Sequence, residues 1–204
     1  MRCCTFAMAV GVALVLPGTA RAADPRFPDW PCVQLKVPEI SVAAIWAGPP
    51  IDDAGDAWEQ DPAVRDLAAR LAVRRTSLDD AQMMITGFVT GSPEERQRKA
   101  TLLFAGLFNS LNRERGDVMN AIERFFRQHR TFAEKVRAEI TELHDLQDAP
   151  NHDQSKVEEL ANRVEWDTRI FEERKKTISY VCEVPTLIEQ RLFALARTIQ
   201  EAME

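Results

Sequence analysis

A hydrophobic repeat with helical spacing dominates the chain after residue 93. Apolar side chains recur there at steps of three, four or seven, which is the pattern of a helix that buries one face. The seam positions are Leu107, Leu111, Val118, Ile122, Phe125, His129, Phe132, Val136, Ile140, Leu143 and Leu146. No proline occurs between Pro93 and Pro150, so the pattern predicts one helix over residues 93–147. The alternative is two helices that separate near Gly116, although a single glycine costs a helix only about 1 kcal/mol.

A second helical segment with similar periodicity follows a turn at residues 149–151. Its seam holds two charged residues, Asp167 and Arg174, among the apolar positions Val157, Leu160, Val164, Phe171, Ile178 and Val181. Pro185 then kinks this helix or separates it from a last one, whose stripe is Ile188, Leu192, Leu195 and Ile199. Residues 154–202 nearly match residues 93–147 in length, and helices joined by a short turn pack antiparallel. We therefore predict a long, coiled-coil-like antiparallel helical hairpin.

Two short amphipathic helices are predicted before the hairpin, over residues 62–75 and 78–90. The first begins with Asp61 as N-cap and Pro62 at its first position, and Ser77 caps the second. Their apolar stripes are Val64, Leu67, Ala68 and Leu71, and then Ala81, Met84, Ile85 and Phe88. These stripes need a surface to cover, which one end of the hairpin provides. The predicted fold is all-α, with a four-helix bundle at that end of the hairpin.

Residues 23–60, which we call the strap, differ from the helical region at 61–204. The strap contains six prolines and three of the four tryptophans. Because proline fixes φ and removes a backbone donor, we predict an extended arm without regular helix. Its apolar content is too high for a disordered linker. We therefore predict that the strap lies against the helices and buries Trp30, Val33, Leu35, Val37, Ile40, Val42, Ile45 and Trp46.

The first 22 residues have the three-part pattern of a cleaved secretory signal peptide. Arg2 precedes an apolar run from Phe6 to Leu16, and small residues at Ala20 and Ala22 fit a cleavage site. The run is too short for a membrane anchor, since a bilayer span needs about 20 apolar residues. We expect the mature protein in the periplasm or outside the cell, and we expect Cys3 and Cys4 to leave with the signal.

Two cysteines, Cys32 and Cys182, remain after this processing. In an oxidising compartment an even pair far apart in sequence predicts a disulfide, which would pin the strap to the hairpin about level with Val118. The alternatives are two buried thiols or two metal-binding thiolates, but neither CxxC spacing nor a neighbouring histidine supports a metal.

The charge of the mature chain disfavours some partners. Cleavage leaves 24 basic and 32 acidic side chains and a net charge of −8. An acidic protein gains nothing from counterion release on nucleic acid, so we expect no nucleic-acid partner. The mature chain has no further apolar run of spanning length, so we expect no stable membrane insertion.

The sequence lacks the common catalytic motifs. It contains no CxxCH, GxGxxG, P-loop, HExxH or GxSxG pattern. Di-iron bundles need Glu-x-x-His, but the residues three positions before the histidines are Phe126, Thr141 and Ala149. We therefore nominate no catalytic residue or cofactor, and we expect the protein not to be an enzyme.

Two groups of residues are weak candidates for metal ligands. His144 and His152 flank the predicted turn, where histidine and carboxylate side chains would suit zinc or copper. Asp52, Asp53 and Asp56 resemble hard-cation ligands in composition, although they lack EF-hand spacing. The plainer interpretation is a solvated turn and a solvated acidic loop.

The functional prediction is a non-enzymatic interaction protein of the bacterial cell envelope. A long helical hairpin without catalytic residues suits an adaptor, an assembly factor or a chaperone-like protein that holds another envelope protein with its projection or its strap. The alternative is a periplasmic metal-binding or metal-handling protein. A homodimer also stays open, because polar seam positions such as Asp167 could pair between two chains.

Overall fold

The computed structural model describes residues 24–204, without the side chain of Asp53. The predicted signal peptide, with Cys3 and Cys4, lies outside these residues. Within them the chain forms helices and no strand, so the all-α prediction is confirmed. The helices are α1 Ala57–Gln60, α2 Pro62–Ala72, α3 Leu78–Phe88, α4 Pro93–Asp148, α5 Gln154–Val181 and α6 Val184–Met203.

Helix α4 is continuous over 56 residues. Its start is fixed by a capping box, in which the Ser92 hydroxyl accepts from the Glu95 amide and the Glu95 carboxylate accepts from the Ser92 amide. The helix passes through Gly116 without a break and reaches a length of about 84 Å at 1.5 Å per residue. It contacts α2 and α6 in its first part and α5 further along.

Helices α5 and α6 run back along α4 in the opposite direction. Arg115 of α4 pairs with Glu189 of α6, and His129 of α4 stacks on Phe171 of α5. Higher residue numbers in α4 therefore lie beside lower residue numbers in α5 and α6, as in antiparallel packing. Pro185 lies in the first turn of α6, where a missing N–H breaks no helical hydrogen bond. It therefore separates the two helices.

The main core lies where α2, α3, α4 and α6 meet. The stripes predicted for these helices point into it, and Phe104 stacks on Trp46 of the strap with ring centroids 4.2 Å apart. Its fully buried large side chains include Leu71, Ile85, Leu103, Phe104, Leu107, Leu111, Ile188, Leu192, Leu195 and Ile199. This core holds α6 against the first part of α4, and the strap lies against both helices.

The strap departs from its prediction in two respects. It is not wholly extended, because it contains short 3-10 turns at Val42–Ala44 and Asp52–Ala54 as well as α1. Its three tryptophans are buried as large apolar groups, and Ile40, Val42 and Ile45 pack against the main core. The prediction was wrong for three side chains that are mostly exposed to solvent, namely Val33 at 81%, Leu35 at 62% and Val37 at 53%.

Ionisable groups lie in the interface between α4 and α5. The His129 ring stacks on Phe171 at 4.6 Å, and its Nδ1 has no hydrogen-bond partner among the described residues. Burial lowers the pKa of His129 below its usual 6.5; Arg174 and Lys175 act in the same direction, and Glu172 opposes them. The packed interface therefore favours the neutral imidazole.

A second polar group lies further along the same interface. Lys135 Nζ is 2.6 Å from an oxygen of Asp167 and 3.4 Å from an oxygen of Glu139, and both carboxylates are largely buried. The hydrogen bond from Lys135 lowers the pKa of Asp167 below its usual 3.8. Glu139 was not predicted to lie in the seam.

We expect the stability of the protein to fall as the pH drops below about 6.5. The unfolded chain binds a proton at His129 near that pH, whereas the folded chain binds it more weakly, so protonation favours unfolding until the pH passes the lowered folded pKa. Urea unfolding at about pH 7.5 and 5.5 measures the loss. His129→Phe keeps a ring against Phe171 and should lose less; equal losses would contradict a role for His129.

Candidate interaction surface

Residues 33–37 of the strap expose apolar side chains to solvent. The Lys36 side chain is largely buried against α4, while Val33, Leu35 and Val37 are mostly exposed to solvent. Gln34 Nε2 donates to the Cys182 carbonyl, and Lys36 Nζ lies 2.6 Å from Glu123 Oε1. Residues 33 and 34 form a bend. Beyond it, side chains of an extended chain alternate between its two sides, so anchoring Lys36 inward turns Leu35 and Val37 outward.

A disulfide and an indole hold this segment in place. Cys32 and Cys182 are bonded, as the sequence predicted, with their Cα atoms 5.5 Å apart. Trp30 packs on Met119 and Ile122 of α4, and its Nε1 donates to the Gln34 carbonyl at 2.7 Å. These contacts therefore fix the direction of the chain after Cys32.

The far end of the segment is also anchored. The Pro38 carbonyl accepts a hydrogen bond from Arg115 Nη1 at 3.2 Å, and the proline ring favours extended geometry at Val37. Between these anchors, the backbone amides and carbonyls of Leu35, Lys36 and Val37 make no hydrogen bond with other described residues. A short stretch of backbone thus keeps its hydrogen-bonding groups free.

A groove of about 490 Å³, which we call the strap groove, is lined by residues of this segment, of α4 and of α6. Leu35 and Val37 line it on one side, and Phe193 of α6, which is 49% exposed, lines it as well. Arg115 is 3% exposed and its Nε lies 2.6 Å from Glu189 Oε1. Glu123 and Glu189 match the charges of Lys36 and Arg115, whereas Glu39, which also lines the groove, has no ion-pair partner among the described residues. The rest of the lining is mainly apolar.

The weak candidates for metal ligands do not form a cluster of three among the described side chains, which do not include that of Asp53. His144 is exposed on α4, and His152 lies in the turn with Nδ1 3.1 Å from the Ala149 carbonyl oxygen. Asp52 lies in a 3-10 turn. Asp56 precedes α1 and lines a cleft that is separate from the strap groove. In the part of the chain that the structure describes, no three His, Cys, Asp or Glu side chains come together as a metal site would require.

The sequence matches no protein-family model, and no characterised protein or solved structure is significantly similar to it. Among residues 24–204, no helix is both long enough and apolar enough to cross a bilayer.

Several residues of the strap groove were missed by reading the sequence. Arg115 lies between the seam positions Leu111 and Val118, and its burial was not predicted because the side chain is charged. Phe193 was also missed, and the sequence signal that would have found it is a phenylalanine outside the apolar stripe of α6.

Proposed function

We propose that this chain is a non-enzymatic interaction protein that holds an extended, apolar segment of another cell-envelope protein in the strap groove. The observation that carries the proposal is the segment Leu35–Val37, in which the Lys36 side chain points inward, Leu35 and Val37 are exposed, and the backbone groups have no partner among the described residues beside a mainly apolar groove. An exposed apolar strand with unpaired backbone is a template for another strand.

An extended partner segment satisfies both features of this surface. Its backbone can pair with the free amides and carbonyls of Leu35 and Val37, and its alternate side chains can fill the groove toward Phe193. The disulfide at Cys32 fixes the segment before the partner arrives, which lowers the entropy lost on binding.

The same disulfide and the signal-peptide pattern both support an oxidising compartment. Stable disulfides belong to oxidising compartments such as the periplasm. We therefore infer a periplasmic or secreted protein whose partner is exposed in the same compartment.

We further infer that α4 and α5 form a long hairpin that extends beyond a bundle of α2, α3, α4 and α6. Residues 134–165, at the turn end of this hairpin, carry nine acidic and four basic side chains. This acidic arm would keep the bundle apart from other acidic surfaces and could provide a second contact for a basic one.

Photo-crosslinking in intact cells tests the proposal. A crosslinking residue replaces Leu35 in one variant and Met83, which is 67% exposed on α3, in the matched control. We expect a defined adduct from position 35 that is absent from position 83, and we expect Val37→Asp to abolish it, because a carboxylate would enter the apolar contact. Identical adducts from both positions, or one that Val37→Asp leaves unchanged, would count against the strap groove.

Deleting residues 140–160 tests the arm separately. If the strap groove is the contact, the adduct from position 35 persists when the turn end is removed. Loss of the adduct from a variant that keeps its helical circular dichroism would instead place the contact at the turn end.

A further inference from the structure

A second groove, of about 360 Å³, is lined by α5 and by Phe125 of α4, and it shares no lining residue with the strap groove. We call it the α5 groove. Residues that are three, four or seven positions apart share one face of a helix, so its α5 residues form one continuous surface. Its surface is mainly apolar, and these α5 residues are Trp166, Arg169, Ile170, Glu173, Arg174 and Thr177.

Trp166 is the largest exposed side chain of this face. It is 61% exposed, whereas the other three tryptophans of the chain are at most 9% exposed. The Arg169 guanidinium lies 5.8 Å from the centre of its ring. Among the described helices, α5 packs extensively only on α4. A large aromatic side chain beside an exposed apolar groove marks a contact surface.

The strap leaves the α5 groove open. Its Asp29 pairs with Arg127 and Arg130 of α4 at 3.2 and 3.1 Å. At 3.6 residues per turn, these arginines lie about 140–160° around the helix from Phe125, which lines the groove. The strap therefore crosses the opposite side of α4 at this level.

The same face of α5 supplies both halves of a helix–helix contact. In coiled-coil packing, a side chain of one helix enters a hole between four residues of the facing helix, at positions i, i+3, i+4 and i+7. Residues 166, 169, 170 and 173 form such a set, and residues 170, 173, 174 and 177 form the next. The indole of Trp166 is the projecting side chain. A surface with both parts is self-complementary, as a two-fold interface between identical chains requires.

The charge distribution selects the direction of a second chain. The acidic arm, residues 134–165, has nine acidic and four basic side chains, whereas residues 113–133 and 166–181 together have six acidic and nine basic ones. The antiparallel course of α4 and α5 brings the last two stretches to one level of the molecule, next to the arm. A parallel pair would set arm against arm, whereas an antiparallel pair sets each arm beside the cationic stretch of the other copy.

We propose that two copies of this chain form an antiparallel dimer in which Trp166 of each copy occupies the α5 groove of the other. The occupant is a second copy because the projecting side chain, the hole that receives it and the matching charges all belong to one face of one chain. Asp167, for which a contact between chains was left open, is instead held by Lys135 of its own chain at 2.6 Å.

The two-fold axis fixes the register of charged pairs beside the groove. When Trp166 faces Ile170 of the second copy, Arg163 faces Glu173 of that copy, because both charged residues lie three positions further from the axis. Arg163 and Glu173 are exposed and pair only with neighbours in α5, so they are available to the second copy. Two oppositely charged pairs then flank the apolar contact.

Sedimentation velocity of the mature chain tests the association. At about 100 μM protein we expect a dimer, and we expect Trp166→Glu to weaken it at least roughly a hundredfold, because an interface tryptophan is lost from two symmetric positions. Met83→Glu is the matched control, since Met83 is 67% exposed on α3 and lies outside the groove. Helical circular dichroism checks that the variants fold. A wild type that is monomeric at this concentration, or a dimer that survives Trp166→Glu, overturns the proposal.

A photo-crosslinking residue at position 166 in intact cells identifies the occupant of the groove. The dimer gives an adduct of two copies of this chain. An adduct with a different protein, together with a monomeric wild type, would assign the α5 groove to another partner and overturn the proposal.

Arg163→Glu and Glu173→Arg test the direction and the register. Each single variant is expected to weaken the dimer roughly tenfold, because two attractive pairs become repulsive, and the double variant is expected to restore it. In a parallel dimer each residue would face its own counterpart, so the double variant would not restore association. Failure of this rescue contradicts the antiparallel register.

The dimer does not depend on the strap groove. Val37→Asp, which should abolish the adduct from position 35, is expected to leave the dimer intact, and Trp166→Glu is expected to leave that adduct intact. Dissociation of the dimer by Val37→Asp would place the interface at the strap and overturn the assignment to the α5 groove.

Discussion

Replacing both Cys32 and Cys182 by serine is expected to lower the free energy of unfolding by about 4–5 kcal/mol. The bond joins residues 150 positions apart, so its loss frees a very long loop in the unfolded chain. Urea unfolding of the wild type with and without reductant, compared with the double variant, measures the loss. A residual compact unfolded state would reduce the effect.

The reduced wild type is the control for this experiment. It keeps the native side chains and should unfold at the same urea concentration as the double variant. A loss below about 1 kcal/mol would contradict the account, because it would mean that the strap is held without the bond. We also expect the strap to loosen locally, since Gln34 depends on the backbone next to Cys182 for its hydrogen bond.

Phe104→Ala is expected to cost about 3–5 kcal/mol, the usual loss when a fully buried phenylalanine leaves a cavity. Phe104 has no exposed surface and stacks on Trp46 with an interplanar angle of 6°, so its removal weakens the core and the attachment of the strap together. Chemical denaturation gives the loss in stability, and Trp46 fluorescence reports the local change.

Phe193→Ala is the matched control for Phe104→Ala. It removes the same side chain from a position that is 49% exposed at the strap groove. We expect a loss below about 1 kcal/mol. We also expect weaker binding of a labelled peptide of alternating valine and threonine, which we call the valine–threonine peptide, as followed by fluorescence anisotropy. Similar losses of stability from the two variants would show that Phe193 belongs to the core, which would contradict its assignment to a binding surface.

The helices could be predicted because their signals are local and repeat. Ser92 and Glu95 mark the start of α4, and the helix continues through Gly116 because no proline interrupts it. Asp167 was read in the α5 seam from spacing alone and is buried there against Lys135. Glu139 and Arg115 were missed because a charged residue at a buried position resembles any solvated residue until its partner is known.

The strap groove could not be predicted, because its walls come from distant parts of the chain. The apolar composition of residues 33–37 favoured burial, yet alternation along an extended chain does not say which side faces the protein. That choice depends on Glu123 and on the backbone of Cys182, which receive the side chains of Lys36 and Gln34. Only the folded structure brings these groups together.

The central claim is that Leu35, Lys36 and Val37 present free backbone groups to a partner. Amide hydrogen exchange at these three residues tests it most directly. In the protein alone we expect exchange close to that of an unstructured peptide, and we expect it to slow at least roughly tenfold when the valine–threonine peptide saturates the groove. Slow exchange in the protein alone, or exchange that the bound peptide leaves unchanged, would contradict the account.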